Sequence, residues 1–312
     1  MYLIGSGVGA LIAGPFSETF GRNPVYIGTM VFLMIFIMAS GLSPNIGAQL
    51  TFRFFVGFFA AAPLTVVGGT IADLWNSMEK VYAFPLFAIP AFGGALIGPA
   101  IGSYVYTLST WRWTEWISLI FAGFMTSLAF LFLPETHAST ILLWRAKHLR
   151  AFSGDNRYQS ASEIVSVTLL HRIRIALTRP WLLAFEPIVV VITLYLTVVW
   201  AIIFTFLDGY SYIFMEPYKI SQGLSNVIFV AEYVGVLLMS FLIPVVYIWT
   251  KNDVKKHNDE NGGQMSGLVT VRPETRLLYA MLGGAWAVPV SLFWLGWTNY
   301  VRTLPSVLIL QQ

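Results

Sequence analysis

Residues 183–206, L-A-F-E-P-I-V-V-V-I-T-L-Y-L-T-V-V-W-A-I-I-F-T-F, form an apolar stretch with one charged residue, Glu186, near its start. A helix of about 20 mainly apolar residues crosses the hydrocarbon core of a bilayer, which is about 30 Å thick. A helix is suited to this environment because it satisfies its backbone hydrogen bonds internally. The stretch therefore predicts a membrane-spanning helix, and it decides the fold class of the chain.

The composition of the whole chain agrees with this class. Of its 312 residues, 57% are hydrophobic and only 11% are charged, whereas a soluble domain carries about 25% charged residues. The mean hydropathy is +0.71. These charges are too few to cover a water-facing globule, so much of the surface must face lipid. The chain is predicted to be an all-α, polytopic membrane protein.

Other apolar stretches of the same kind lie on both sides of the first. The predicted spans are residues 1–16, 25–43, 48–72, 82–106, 113–133, 183–206, 224–249 and 277–297. A partial span opens near Leu304 and stops at Gln312. The first stretch has no basic region and no small-residue cleavage site, so it is not expected to be a cleavable signal peptide.

Two polar stretches, residues 134–180 and 250–276, interrupt the spans, and both are basic. If they are cytoplasmic, so are the turns that contain Arg22 and Lys80, and 14 of the 18 Lys and Arg residues lie inside. The positive-inside rule predicts this orientation. The chain then divides into an N-terminal helical bundle at 1–133, a cytoplasmic basic linker at 134–180 and a partial C-terminal bundle at 181–312.

The linker also holds short apolar pieces, Ile164–Leu170 and Ile173–Leu177, that alternate with arginine and histidine. Such alternation suggests amphipathic helices that lie on the inner membrane surface. A solvated linker without such helices is the alternative.

The segment from Gly14 to Arg22, G-P-F-S-E-T-F-G-R, joins the first two spans. Glycines let a backbone turn tightly, and the charges of Glu18 and Arg22 can pair with neighbouring helix ends and their dipoles. Gly14, Glu18, Gly21 and Arg22 resemble the G-x-x-x-D/E-x-x-G-R loop motif of the major facilitator superfamily. In that family the loop stabilises one of two alternating-access states. A tight turn that happens to hold two charges is the alternative.

A second resemblance to this family lies inside a predicted span, where Arg53 and Gly57 match the arginine-and-glycine motif of the family's fourth helix. An arginine at the centre of a span costs about 2.5–3.5 kcal/mol on insertion scales, so it is usually retained for a task. The resemblance implies that Arg53 takes part in proton coupling. An arginine that extends to the outer interface is the alternative.

The third match is the segment from Gly94 to Gly102, G-A-L-I-G-P-A-I-G. Gly94, Gly98 and Gly102 share one helix face, where small residues allow close helix contact, and Pro99 favours a bend. The segment is similar to the family's G-x-x-x-G-P-x-x-G motif, which marks antiporters. A helix-packing face with no bearing on transport is the alternative.

Smaller matches, including Trp111-Arg112-Trp113 and Pro134-Glu135-Thr136, extend the resemblance to the fungal multidrug and polyamine:proton antiporter-like branch. That branch includes polyamine, azole and secondary-metabolite exporters. The family has twelve helices in two bundles, so the resemblance implies an incomplete fold of about eight helices plus a partial one, truncated at both ends. Glu115 departs from the family's apolar residue at its position, and no role is assigned to it.

Other residues are weaker candidates. Glu232 is an ionisable residue within a span, where such residues are functional candidates, and it could exchange protons or hold a cation; pairing with a nearby donor is the alternative. Tyr195 could stack on a substrate, and Asp208 lies where the relatives often have glutamate, although interface packing and a solvated helix end are the alternatives.

The sequence therefore favours proton-coupled efflux of a small organic compound by alternating access, in a multi-pass protein of the plasma membrane. The alternative is a truncated, non-transporting membrane protein that associates with other subunits. No catalytic, metal-ligand or phosphate-loop motif occurs in the sequence, so an enzyme, a metal site, a cofactor and a nucleic-acid partner are not expected. The expected partners are a small-molecule substrate, protons and the lipid bilayer.

Overall fold

A computed structural model describes residues 1–164, 169–218, 222–227, 229–260 and 285–298. Within those residues the chain forms helices and turns, with no strand. The helices are α1 Tyr2–Phe20, α2 Arg22–Gly41, α3 Ile46–Leu74, α4 Lys80–Leu108, α5 Arg112–Phe132, α6 Ala138–Ser153, α7 Ala161–Ile164, α8 Leu169–Leu183, α9 Pro187–Tyr218, α10 Gln222–Val227, α11 Phe229–Ser240, α12 Ile243–Glu260 and α13 Ala285–Thr298.

Six helical stretches of the described chain are long and apolar enough to cross a membrane. They are Arg22–Gly41, Ile46–Leu74, Lys80–Val105, Arg112–Phe132, Pro187–Thr205 and Gly223–Lys256. Each overlaps a span predicted from the sequence, which confirms the all-α, polytopic membrane class.

The two remaining predicted spans have different outcomes. Residues 1–16 belong to α1, a helix of 19 residues, but its glycines and its polar end leave it outside the set of strongly apolar helices. The span predicted at 277–297 is described only from Ala285 onward, where it is helical. The partial span near Leu304 lies outside the described residues.

The turn predicted between the first two spans is shorter than expected. Pro15 lies inside α1, and the helix continues to Phe20. Gly21 alone breaks the helix, with φ of 101°, a conformation that glycine adopts without steric cost. The Gly14–Arg22 motif is therefore mainly helical, and α2 begins at Arg22 itself.

The chain forms two compact units by contact. The first unit comprises Met1–Leu74 and Val105–Thr197, and the second comprises Trp75–Tyr104 and Val198–Gln312. The division into bundles at 1–133 and 181–312, with a linker between them, remains a prediction.

In the first unit, α3 packs against α1 and α2, α2 also packs against α5, and α8 lies against α1. Its buried core consists of Ala13, Val25, Tyr26, Ala62 and Val66. Stacked phenylalanines extend the α2–α3 contact, since the rings of Phe36 and Phe55 lie 4.8 Å apart.

Glycines allow α1 and α3 to approach each other closely. A Cβ at Gly5 or Gly9 would overlap the backbone of α3 at Phe54 or Phe58. A Cβ at Gly57 would overlap the carbonyl of Tyr2 on α1. The two helices therefore touch backbone to backbone, as small residues permit in membrane proteins.

In the second unit, α4 packs against α10 and α11. The Tyr233 ring lies 2.9 Å from where a Cβ of Gly93 would be, and the Tyr104 ring lies 3.2 Å from where a Cβ of Gly223 would be. The side chain of Asn226 donates a hydrogen bond of 3.4 Å to the carbonyl of Pro99. These contacts fix which side of α4 faces the rest of its unit.

Candidate functional site

The first group of polar residues lies where α1 ends and α2 begins, and we call it the junction. Arg22 is buried there, and its Nε donates a hydrogen bond of 3.1 Å to the carboxylate of Asp73 at the end of α3. Its guanidinium also donates to the hydroxyl of the fully buried Ser17. His137 Nδ1 lies 3.6 Å from the same Asp73 carboxylate. Arg22 thus links the ends of three successive helices.

Glu135 supplies a second carboxylate to the junction. It accepts hydrogen bonds from the backbone N–H groups of Arg22 and Asn23, at 2.9 and 3.2 Å. The Asn23 side chain in turn donates 2.7 Å to the carbonyl of Leu133, at the end of α5. The first N–H groups of a helix lack intrahelical partners, and Glu135 satisfies two of them in α2.

Glu18 lies at the edge of the junction and is half exposed. Its carboxylate is 3.5 Å from Arg172 on α8, and the same guanidinium donates to the backbone carbonyl of Glu18 at 3.3 Å. The loop residue predicted to act in gating therefore contacts the linker. Gly14 has open space around it among the described residues, and its carbonyl accepts a hydrogen bond from Ser17.

The second group lies at the opposite end of the first unit, where α3 and α5 begin. Arg53 on α3 forms an ion pair with Glu115 on α5 through a direct hydrogen bond. The Glu115 side chain is 7% exposed and that of Arg53 is 44% exposed. The hydroxyl of Ser40, on α2, donates to the same Glu115 oxygen at 3.4 Å.

The glycine face of α4 borders open space among the described residues. Among the described residues, no atom lies within 4 Å of a Cβ built at Gly94, Gly98 or Gly102. The close helix contact occurs at Gly93 instead, which lies about 100° away around the helix from Gly94. The role of these three glycines and Pro99 in antiport remains a prediction.

Of the three weaker candidates, Tyr195 belongs to the first unit, and Glu232 and Asp208 belong to the second. Glu232 is half-buried on α11 and has no hydrogen-bond or ion-pair partner among the described residues. Tyr195 lies on α9 with 51% exposure. Asp208 is also in α9, but its side chain is outside the described residues. In the part of the chain that the structure describes, no cluster of His, Asp and Glu could hold a metal ion.

A groove of about 410 Å³ opens between α1, α2 and α3 of the first unit. Its lining is almost wholly apolar. The one hydroxyl in the lining, that of Thr29, donates a hydrogen bond to the carbonyl of Val25 in the same helix. The groove therefore has no charged or free polar group that could orient a substrate.

Sequence reasoning assigned no site role to five ionisable members of these groups, namely Asp73, Glu115, Glu135, His137 and Arg172. The Pro134-Glu135-Thr136 segment matches a family pattern and Glu115 departs from one, but neither feature predicts a contact. A charged residue at the edge of an apolar stretch is the signal that could have identified Asp73.

The chain matches the Major Facilitator Superfamily over residues 1–311. It is 42% identical over 305 residues to the MFS-type transporter kojT of Aspergillus flavus, covering 96% of this chain and 52% of that protein. It is 35% identical over 303 residues to the citrinin biosynthesis cluster MFS transporter mrr1 of Monascus ruber, covering 95% of this chain and 58% of that protein.

An MFS-type efflux pump, MFS2 of Trichophyton rubrum, is 32% identical over 302 residues, with 96% of this chain and 49% of that protein covered. The chain thus spans about half the length of the curated relatives it matches. These relatives are named as transporters, in agreement with the expectation of a transport protein rather than an enzyme.

Proposed function

This chain belongs to the Major Facilitator Superfamily, and from that premise we propose that it acts in proton-coupled efflux of small organic compounds by alternating access. Two kinds of observation support the proposal. Relatives are named as an efflux pump and as a transporter of a biosynthesis cluster. The chain itself carries an ion pair within its spans that is suited to proton coupling.

The ion pair of Arg53 and Glu115 is the observation that carries the proposal. Ionisable residues within membrane spans are costly and usually serve a transport pathway or a proton relay. Arginine stays protonated in proteins, so Glu115 is the member of the pair that can take up and release a proton. Arg53, with its side chain 44% exposed, connects this carboxylate to the surface of the unit.

A coupling step follows from this geometry. When Glu115 takes up a proton, its charge–charge attraction to Arg53 is lost, and only the Ser40 contact and a weaker hydrogen bond from the charged Arg53 to the neutral carboxyl remain. Arg53 is then free to pair with another acceptor, such as a substrate. When the proton leaves, the ion pair re-forms. Proton binding and the position of Arg53 are thereby linked.

Glu232 is a second acidic group for the same function. It is half-buried on α11 and lacks a hydrogen-bond or ion-pair partner among the described residues. The charge of a partly buried carboxylate without a partner is suited to a cationic substrate or a proton. We propose that Glu232 attracts such a substrate or a proton, while Tyr195 and Asp208 are weaker candidates for the cavity.

The junction is proposed to act in gating. Arg22, Asp73 and Glu135 join the ends of α1, α2, α3 and α5, so an alternating-access step that moves these helix ends must rearrange the bonds.

The plasma membrane is the proposed location, and the basic segments 134–180 and 250–276 are proposed to face the cytoplasm.

The test is transport by the purified chain in sealed vesicles with an imposed pH gradient. The probes are a fluorescent organic cation, a polyamine and citrinin, with proton flux followed by a pH-sensitive dye in the lumen. We expect a transported probe to require the gradient. Glu115→Gln keeps an oxygen acceptor for Arg53, so it should exchange probe without the gradient dependence.

Glu186→Gln is the matched control, because Glu186 is exposed and lies outside both groups. It should behave like the wild-type chain. If no probe responds to the pH gradient, the proton-coupling proposal fails. If Glu115→Gln keeps full gradient dependence, coupling does not depend on the Arg53–Glu115 pair.

A further inference from the structure

Two helices, α6 and α8, which lie within residues 134–183, present a similar side-chain pattern on an exposed face. On α6 the pattern is Ile141, Arg145, His148 and Phe152, and on α8 it is Leu170, Arg174, Leu177 and Trp181. Both sets follow the spacing i, i+4, i+7 and i+11, which places four residues along one side of a helix. Each begins with an aliphatic residue, continues with an arginine and ends with an aromatic residue. We call these eight residues the linker face.

The apolar members of the linker face are far more exposed than core residues. Phe152 is 90% exposed, Leu170 78% and Trp181 74%. On the other side of α6, Thr140 and Ala146 are buried. The two helices therefore have a packed side and an unpacked side, and large apolar groups lie on the unpacked one.

The arginines of this face are not neutralised from within residues 134–180, because the three carboxylates of that segment already have partners. Glu135 caps α2, Asp155 pairs with Arg157 and Glu163 pairs with Arg150. Residues 134–180 contain no other acidic residue. Arg145 and Arg174 are exposed and have no carboxylate partner among the described residues.

The linker face is also held close to the ends of two membrane spans. Only residues 133–137 separate α5 from α6, and only residues 184–186 separate α8 from α9. A chain of a few residues reaches at most about 20 Å, so the first turn of α6 and the last turn of α8 stay near the ends of these spans. On α8, Arg172 binds Glu18 of α1. The side of α8 that carries Arg172 therefore faces α1.

We propose that the linker face binds the anionic headgroup layer of the membrane leaflet on its own side, with Phe152 and Trp181 inserted among the upper acyl chains. Aromatic and aliphatic side chains beside arginines are the composition of helices that lie in the membrane interface. Anionic lipids are concentrated in the cytoplasmic leaflet and attract basic segments near it. This inference rests on the predicted cytoplasmic side of the segment and is independent of proton coupling.

The chain contains no cysteine, so single cysteines can report on the face directly. His148→Cys and Leu177→Cys place a polarity-sensitive fluorophore within it, and Asn156→Cys places one in the exposed turn between α6 and α7 as the matched control. The labelled full chain is put into vesicles of phosphatidylcholine alone or with phosphatidylserine. Emission and quenching by water-soluble acrylamide are then measured.

We expect the labels at 148 and 177 to shift to shorter wavelength and to lose quenching several-fold in vesicles with phosphatidylserine, while the label at 156 stays accessible. The paired substitution Arg145→Gln and Arg174→Gln should abolish this dependence on lipid charge, as should high salt. Both arginines are exposed, and an unchanged thermal unfolding midpoint would show that the fold is retained.

Three results would overturn the proposal. Quenching at 148 and 177 that equals quenching at 156 in both lipids would place the face in water. Protection that is the same in neutral and anionic vesicles would exclude recognition of the headgroup charge. Protection that grows with the ratio of protein to lipid would assign the face to a second copy of the chain.

Discussion

The carboxylate of Glu135 accepts a hydrogen bond of 2.9 Å from the backbone N–H of Arg22, although 113 residues separate the two in sequence. The N–H groups of Thr136 and His137 donate to the same carboxylate, each at 2.9 Å. A negative charge at a helix N-terminus is favourable because it faces the positive end of the helix dipole. Glu135 therefore holds the turn after α5 against the start of α2.

Removing this carboxylate should destabilise the first unit. Hydrogen bonds to charged groups contribute about 1.5–3 kcal/mol each, so Glu135→Ala should lower the free energy of unfolding by about 2–3 kcal/mol. Glu135→Gln should lower it by less, because an oxygen acceptor remains. Denaturant unfolding in detergent, followed by circular dichroism, measures both. The exposed Glu186→Gln is the control, and an unchanged midpoint for Glu135→Ala would contradict the capping role.

The Arg22–Asp73 pair makes a separate prediction, because here both partners are charged side chains. Arg22 is 9% exposed and Asp73 26%, so removing one partner leaves the other charge partly buried and unpaired. We expect Arg22→Gln and Asp73→Asn each to destabilise the unit, and the double substitution to cost less than their sum. The coupling energy should be about 1–3 kcal/mol. Additive effects in this double-mutant cycle would show that the contact contributes nothing to the free energy of unfolding.

The positions of the spans were predictable because long apolar runs are set by the thickness of the bilayer. The Arg53–Glu115 contact could not be predicted, because helices in lipid are apolar on every side. A sequence period reveals the inward face of a helix only when the outward face is polar. On α3 and α5 both faces are apolar, so the rotation that brings two residues 62 positions apart together could not be predicted from either stretch alone.

Helix α1 is longer than the span predicted at 1–16. Pro15 lies inside the helix, although proline removes one backbone hydrogen bond. Within membrane proteins neighbouring helices tolerate such a proline, and α1 continues to Phe20. The polar residues Ser17 and Thr19 also satisfy carbonyls of their own helix, those of Gly14 and Pro15.

Two sets of glycines should respond in opposite ways to the same substitution. Gly9→Ala and Gly57→Ala place a methyl group into the backbone of the facing helix, so α1 and α3 must separate and the unit should lose stability. Gly98→Ala meets open space among the described residues, and alanine is favoured over glycine in a helix by about 1 kcal/mol. Thermal unfolding in detergent compares them. Equal losses for all three would contradict the packing of α1 on α3.

The Arg150–Glu163 pair joins α6 to α7 and should make their contact depend on pH. Both Arg150 terminal nitrogens bind the carboxylate, at 3.1 and 2.6 Å. The hydrogen bond from Arg150, and then one from the Ser160 backbone, hold the pKa of Glu163 below its usual value. Because the folded pKa is below the unfolded one, the pair stabilises the contact at pH values above the unfolded pKa, which is about 4.3. That stabilisation is lost as the pH falls through the lower, folded pKa.

The distance between two nitroxide labels on exposed positions, Lys147→Cys and Ala161→Cys, reports this contact. The distribution should be narrow at pH 7 and should broaden as the pH falls below about 4.3, because protonated Glu163 no longer attracts Arg150. With Glu163→Gln it should be broad at every pH. Asp155, whose pKa is also lowered through its bonds with Arg157, lies in the turn between the helices, so Asp155→Asn separates its titration from that of Glu163. A pH response that survives in Glu163→Gln and vanishes in Asp155→Asn would assign the transition to the turn rather than to the Arg150–Glu163 pair.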